Sequence, residues 1–204
     1  FVLHERFKLV AEDRELDEYI LTKAFSYKVN AAKLPHANGE IKVAIIGSGP
    51  AGLACADVLN QLGFKVTVFE RDDRPGGLLI YGVPNIKLPK ELLLSKIKGL
   101  EEAGVEFQLN TAVGIAVSWA EIREQYAAIV ICTGSSQPRV LKLPGNELSG
   151  IHYANDFLTS TTRSLLDHQL AKGTFISAEG KDVLIIGGGD TGADCAALAW
   201  SHGA

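Results

Sequence analysis

Apolar residues in this chain occur as short continuous runs that alternate with segments of helical spacing. The runs "KVAIIG" from Lys42, "KVTVFE" from Lys65, "VEFQLN" from Val105 and "AIVICTG" from Ala128 are rich in apolar and β-branched residues. Such runs are typical of parallel strands that are buried on both faces. Their alternation with helices predicts an α/β fold with a doubly wound parallel sheet.

Helical spacing and turn residues predict the segments between the strands. The predicted helices cover residues 50–62, 89–103, 119–126 and 155–170. The first of them is closed by Gly63 and separates two strands, so the region from Lys42 to Glu70 is predicted to be a β-α-β unit. A loop follows Gly134, where prolines and glycines are frequent.

Residues 1–40 have a different pattern. Leu16, Tyr19, Ile20 and Ala24 lie at helical spacing with acidic residues near the start, which predicts one amphipathic helix. The stretch "KLPHANGE" after it has the turn residues of a linker. We therefore interpret this region as a helical arm and a linker.

The pattern of strand, glycine turn and helix occurs a second time near the end. "KDVLIIGGGDTGADC" from Lys181 repeats the arrangement that begins at Lys42. This repetition predicts a first dinucleotide-binding domain at 41–150 and, at 151–204, a linker helix with the beginning of a second one. One strand and one helix cannot bury their apolar faces alone, so we expect the chain to be a section of a longer enzyme.

Composition and charge exclude several classes of protein. The 204 residues carry a formal net charge of −4, and the lysines and arginines are spread along the chain, so a nucleic-acid partner is not expected. No apolar stretch reaches the ~18 residues that a membrane crossing needs. These features predict a cytoplasmic protein that has no membrane contact.

The cysteines and histidines suggest neither disulfides nor a metal site. Cys55, Cys132 and Cys195 are widely spaced within apolar segments, as expected for small core residues in a reducing compartment. The sequence contains no CxxC pair and no HxxxH spacing. We therefore expect no bound metal.

The first glycine turn has the spacing G-x-G-x-x-G between a strand and a helix. Gly47 permits a tight turn, Gly49 leaves room for a pyrophosphate, and Gly52 allows close packing of helix and strand. The start of the helix adds free N–H groups and a partial positive charge. Glu70 follows about 20 residues later, where a carboxylate accepts hydrogen bonds from an adenosine ribose and repels a 2′-phosphate.

Several stretches of the sequence, before and after Glu70, resemble a known family. "GSGPAGLACADVL", "VTVFERDDRPGGLLIYGVPNIKLPK", "ICTGSSQPR", "LPG" and "IIGGGDTGADC" together are similar to the flavoprotein small subunit of glutamate synthase and its relatives, among them dihydropyrimidine dehydrogenase and electron-bifurcating transhydrogenase. The resemblance covers the chain from Ile41 onward. It implies an FAD-binding unit, into which a unit that binds NADH or NADPH is inserted.

The resemblance also implies which residues contact the cofactors. For FAD it implies a pyrophosphate site, a ribose contact at Glu70 and further contacts after the glycine pair. The pyrophosphate residues would be Gly47, Ser48, Gly49, Pro50, Ala51 and Gly52, and the further contacts Leu78, Lys87, Val113, Thr133 and Gly134. From the sequence alone, an exposed loop lysine is an alternative interpretation of Lys87.

The second glycine turn is expected to bind the nicotinamide nucleotide. Its residues are Gly187, Gly188, Gly189, Asp190, Thr191 and Gly192. An aspartate beside a pyrophosphate is unfavourable, so Asp190 is expected to cap the helix or to contact a hydroxyl group. Gly192 in place of alanine favours NAD, but the residue that decides between NAD and NADP is expected beyond Ala204.

The resemblance implies hydride transfer from the nicotinamide to FAD, with electrons passing on through iron–sulfur clusters. Members of the family carry cysteine ligands for these clusters ahead of the FAD unit. No cysteine precedes Cys55 here, so the clusters are expected in adjoining protein, either the remainder of a longer polypeptide or a large catalytic subunit. The cofactors supply this chemistry, and no catalytic side chain is predicted.

Two other functions are consistent with parts of the pattern. A disulfide-reductase type of flavoprotein would need a redox cysteine pair, which the sequence does not contain. A non-catalytic flavin-binding or interaction fragment of a larger protein would account for both glycine turns without turnover. We expect the glutamate synthase type of oxidoreductase.

Overall fold

The computed structural model describes residues 40–138, 140, 142 and 144–204. The predicted N-terminal helical arm lies outside these residues. Within them the chain forms one four-stranded parallel sheet in the order β3-β2-β1-β4. The strands are β1 Lys42–Ile46, β2 Lys65–Phe69, β3 Glu106–Gln108 and β4 Ala128–Ile131.

Six helices accompany this sheet in the described residues. They are α1 Pro50–Gln61, α2 Leu78–Tyr81, α3 Lys90–Glu102, α4 Trp119–Gln125, α5 Ala154–His168 and α6 Asp190–Ser201. Pro50 opens α1, at a position where its fixed φ and missing N–H suit a helix start. At the start of α4, Ser118 and Glu121 form a capping box. None of these helices has the length and the apolar character needed to cross a membrane.

Helices cover both faces of the sheet. On one face Ala56 of α1 packs against Ile45, Val66 and Val68 of the two central strands. On the other face Ile122 of α4 packs against a second group of buried strand residues, Ala44, Ile46 and Phe69. The predicted doubly wound parallel α/β sheet is therefore confirmed.

Two further clusters connect the remaining helices to this core. Leu53 of α1 packs with Ile80 and Tyr81 of α2 and with Leu93 and Ile97 of α3. Leu158 of α5 packs with Cys195 and Leu198 of α6. The helix of the second glycine turn is thus held mainly by α5.

The structure corrects one predicted element. Residues 182–186 were expected to form a strand, but they are not paired with any described strand, and Leu184 and Ile186 are 88% and 77% exposed. A strand is stabilised by ladder hydrogen bonds, and these residues have no neighbouring strand in the described part of the chain. An apolar pattern is not sufficient to form a strand without a neighbouring strand that completes its hydrogen bonds.

Candidate functional site

The first glycine turn is fixed by two contacts that exclude a side chain. Gly47 has a φ of +100°, and a Cβ atom there would lie 2.5 Å from the carbonyl oxygen of Cys132. A Cβ atom on Gly52 would lie 2.0 Å from the carbonyl oxygen of Gly47. The turn therefore packs directly against the end of β4 and against its own helix.

Gly49 differs from its two neighbouring glycines because its Cβ direction is open. Its φ is −62°, and no atom lies within 4 Å of where a Cβ atom would be. It is the N-cap of α1 and lines a cleft of about 790 Å³. Open space next to the N–H groups of a helix start fits a phosphate group.

Most of the residues predicted for the first cofactor line this cleft. Most of them follow the ends of β1, β2 and β4, where the glycine turn, the acidic residue and the crossing strand meet. The predicted residues that line the cleft are Gly47, Gly49, Pro50, Ala51, Glu70, Leu78, Val113, Thr133 and Gly134.

Glu70 is held in place by hydrogen bonds to both of its carboxylate oxygens. Oε2 accepts hydrogen bonds from the backbone N–H of Ser48, at 3.0 Å, and from the Ser48 hydroxyl. Oε1 accepts a hydrogen bond from the backbone N–H of Asp72 at 2.9 Å. A carboxylate has about four acceptor positions, so one stays available to a ribose hydroxyl at the rim of the cleft.

Ser48 was predicted to contact the pyrophosphate, but the structure gives it a different position. The residue is fully buried and does not line the cleft. Its hydroxyl bonds to Glu70 and accepts a hydrogen bond from the N–H of Gly76 at 2.9 Å. Ser48 thus joins the first glycine turn, the acidic residue and the glycine pair.

The glycine pair that follows Glu70 is in direct contact with the first turn. Gly77 has a φ of +54°, and a Cβ atom there would lie 2.9 Å from the Cα atom of Gly49. This close approach places Leu78, the first residue of α2, at the rim of the cleft, where it is 56% exposed. Close contact of two backbones explains why glycine is needed here.

Lys87 lies outside the residues that line the first cleft. Its ammonium group forms an ion pair with Asp194 of α6 at 3.0 Å. The pair links the "NIKLP" segment to the helix of the second glycine turn. A contact between Lys87 and the cofactor stays a prediction.

The second glycine turn repeats the local geometry of the first. Gly187 has a φ of +128°, and a Cβ atom on Gly192 would lie 2.4 Å from the carbonyl oxygen of Gly187. Gly189 is the N-cap of α6 as Gly49 is of α1, and Asp190 is the first residue of that helix. Gly187, Gly188, Gly189 and Asp190 are exposed to solvent.

A second cavity of about 310 Å³ lies next to the first cleft. Thr191 and Asp194 of α6 line it, whereas the glycines of the second turn do not. Four residues line both cavities, namely Leu78, Ser135, Ser136 and Asn155. The two cavities are therefore adjacent, but the glycines of the second turn line neither of them, and only Thr191 of the predicted nucleotide residues lines the second cavity.

Sequence reasoning missed a group of charged residues beside Glu70. Arg163 of α5 lines the cleft and forms ion pairs with Asp72 at 2.8 Å and with Asp73 at 3.0 Å. Its guanidinium also lies 3.9 Å from the ring centroid of Tyr81. Burial, and then the hydrogen bond to Asp73, raise the pKa of Tyr81, so its hydroxyl keeps its proton.

Lys90 is a buried charge close to the cleft. Only 1% of the residue is exposed, and its ammonium group donates hydrogen bonds to the carbonyl oxygens of Leu79, at 2.8 Å, and Val83, at 2.6 Å. These bonds hold the end of α2 and therefore support Leu78. Burial lowers the pKa of Lys90 to about 8.

We expect the stability of the protein to depend on the protonation of Lys90. Between pH 8 and 10.5 the unfolded chain binds a proton at this lysine that the folded chain has released. The contribution of Lys90 to the free energy of unfolding of the protein should therefore rise with pH across this window, by at most about 3 kcal/mol. Urea unfolding of the wild type and of Lys90→Met from pH 7 to pH 10.5 measures the difference, and curves that stay parallel would contradict the prediction.

Comparisons with known proteins show the family to which the chain belongs. A family model described as pyridine nucleotide-disulphide oxidoreductase matches residues 41–204. The chain belongs to this family. In the described residues no cluster of three or more histidine, cysteine or acidic side chains has the arrangement of a metal site.

The chain has individual relatives among the glutamate synthases. It is 48% identical to the glutamate synthase [NADPH] small chain of Bacillus subtilis over 186 residues, which are 91% of this chain and 38% of that protein. It is 46% identical to a glutamate synthase [NADH] of Schizosaccharomyces pombe over 193 residues, which are 94% of this chain and 9% of that protein. The predicted resemblance to glutamate synthase small subunits is confirmed.

A solved structure has the same fold. FprA of Mycobacterium tuberculosis, in complex with NADPH, is 30% identical with a TM-score of 0.50, over 60% of this chain and 29% of that one. The chain spans less than half the length of each of these three proteins.

Proposed function

We propose that the chain is the part of a glutamate synthase type of oxidoreductase in which NADH or NADPH reduces FAD. The observation that carries the proposal is the occurrence of two glycine turns of the same geometry beside two adjoining cavities. Gly52 against Gly47 and Gly192 against Gly187 are the matching contacts. The similarity to glutamate synthase small chains supports the same function.

In this proposal the first cleft binds FAD and the second turn binds the nicotinamide nucleotide. The N–H groups at the start of α1 hold the pyrophosphate above Gly49, and Glu70 accepts a hydrogen bond from the ribose. Leu78, Val113, Thr133 and Gly134 line the remaining length of the cofactor. FAD, when bound, would act as the acceptor of a hydride from the reduced nicotinamide.

The protein's own contribution is position and electrostatics. The backbone contact between Gly77 and Gly49 keeps the rim of the cleft at a fixed distance from the glycine turn. A contact between Lys87 and the cofactor, which the resemblance implies, would require its release from Asp194 and would then stabilise negative charge on the cofactor. A nucleotide that reaches from the second turn past Thr191 into the second cavity would bring the reacting groups together.

The proposed domain organisation follows the same division. Residues 41–150 belong to the FAD-binding unit, and residues 151–204 form a linker helix and the beginning of the nucleotide unit. Electrons would leave through iron–sulfur clusters in adjoining protein, toward the synthesis of glutamate. Three unpaired cysteines fit a reducing compartment such as the cytoplasm.

A spectroscopic experiment tests the proposal. The purified protein, supplied with FAD, should show flavin absorption bands that bleach when NADH or NADPH is added without oxygen. The nucleotide that bleaches the bands identifies the donor. Bands that stay oxidised with both nucleotides favour a flavin-binding module without turnover, and failure to take up FAD would contradict both functions.

A further inference from the structure

One wall of the first cleft is formed by a polar face of α5. Asn155, Thr159 and Arg163 all line the cleft, and they follow one another at intervals of four residues. Residues at this spacing lie on one face of a helix, here over a length of about 12 Å. We call these three residues the α5 stripe.

Two members of the α5 stripe have free hydrogen-bonding groups. Within the part of the chain that the structure describes, the side chains of Asn155 and Thr159 have no hydrogen-bond partner. By contrast, the hydroxyls of Ser160 and Thr161 donate to the carbonyl oxygen of Phe157 in the same helix. The stripe therefore presents an amide and a hydroxyl to the cleft.

The third member, Arg163, is held at the end of the cleft next to Glu70. Two of its N–H groups donate to Asp72 and Asp73, two and three residues after Glu70, and Tyr81 lies beneath the guanidinium. An arginine has five N–H donors, so donors remain for an anionic ligand. The ion pairs fix the position of the group without using all of its donors.

The stripe has a direction along the cleft. Arg163 lies at the end that Glu70 marks as the adenosine ribose end. Asn155, at the other end, lines the second cavity as well as the first. A ligand that extends from Glu70 toward the second cavity would therefore pass Arg163, Thr159 and Asn155 in that order.

We infer that the α5 stripe is a second recognition surface for an extended dinucleotide with a polyol linker. Arg163 binds the diphosphate of the adenosine half, and Thr159 and Asn155 form hydrogen bonds with the hydroxyl groups of the ribityl chain. The inference rests on the proposed function, because it takes FAD as the ligand of the first cleft. It adds a helix outside the β-α-β unit to the binding site.

Binding of FAD and of ADP to purified variants tests the inference. ADP carries the adenosine ribose and the diphosphate but no ribityl chain. The double variant Asn155→Ala with Thr159→Ala should bind FAD at least tenfold more weakly and ADP as the wild type does. Arg163→Gln should weaken both ligands by a similar factor, and His168→Ala, an exposed position on the same helix, should weaken neither.

The outcomes separate the two proposals. A wild type that binds neither FAD nor ADP overturns the proposed function and the inference with it. A wild type that binds both, together with a double variant that binds FAD equally well, overturns the α5 stripe alone. Equal loss of FAD and ADP in the double variant also overturns it. Circular dichroism and melting temperature verify that each variant is folded.

Discussion

Replacement of Gly52 by alanine is expected to destabilise the protein by about 3 kcal/mol or more and to abolish FAD binding. The new Cβ atom would lie 2.0 Å from the carbonyl oxygen of Gly47, far closer than two non-bonded heavy atoms can approach. The backbone fixes the positions of the Cβ atom and of the carbonyl oxygen, so no side-chain rotation relieves the clash. The helix must therefore move away from the end of the strand. Helix propensity alone would favour alanine by about 1 kcal/mol, so a decrease in the free energy of unfolding can be attributed to the close contact. Urea unfolding and a thermal melt give the change in stability.

Gly49→Ala is the matched control for this variant. The same methyl group at Gly49 meets no atom within 4 Å, and a φ of −62° suits any residue. This variant should therefore unfold at the same urea concentration as the wild type. It should still bind FAD at least tenfold more weakly, because the methyl group occupies the space of the pyrophosphate. If Gly52→Ala is as stable as Gly49→Ala, the close contact at Gly52 does not exist in solution.

Glu70→Ala is expected to have the second-largest effect, on stability and on binding together. The carboxylate accepts three hydrogen bonds from Ser48 and Asp72, and only 4% of Glu70 is exposed. Its removal leaves buried N–H groups without acceptors, at a cost of about 1–3 kcal/mol for each group. It also removes the acceptor for the ribose hydroxyl, so FAD and ADP should both bind at least tenfold more weakly. Chemical denaturation and titration calorimetry measure the two effects.

A conservative variant and an exposed control sharpen this experiment. Glu70→Gln keeps the shape of the side chain but turns one acceptor group into a donor that faces other donors. Its stability and its affinity for FAD and ADP should therefore lie between those of the wild type and of Glu70→Ala. Glu101→Gln, at an exposed position of α3, should change neither stability nor binding. Unchanged FAD and ADP affinity in a folded Glu70→Ala protein would remove this residue from the proposed site.

The sequence predicted the elements of the sheet and the geometry of each glycine turn. Strand runs such as "KVTVFE" are apolar on both faces because both faces are covered, and this pattern needs no knowledge of the partners. The spacing of Gly47 and Gly52 recurs in Gly187 and Gly192, and the structure gives both turns the same contact. Local backbone sterics decide the conformation of such a turn, so a stretch of six residues is enough to predict it.

The sequence also located most of the residues that line the first cleft. Residues at the ends of neighbouring parallel strands meet at one edge of a sheet, which brings Gly47, Glu70 and Thr133 together. The Ser48 side chain lies away from the cleft because the turn directs it inward, to Glu70 and Gly76. Arg163 and α5 were missed as parts of the site because nothing in their local pattern indicates which element they pack against.

Only the tertiary structure decided the remaining features. Lys87 meets Asp194 across 107 positions of the chain, and the α5 stripe faces a cleft built from residues far away in sequence. "KDVLIIG" has the composition of a strand but is not paired with any strand of the described residues, and all of its residues except Ile185 are exposed. The physical reason is the same in each case. Turns and helices close their hydrogen bonds within a few residues, whereas strands, ion pairs and cleft walls depend on partners that only the folded chain brings near.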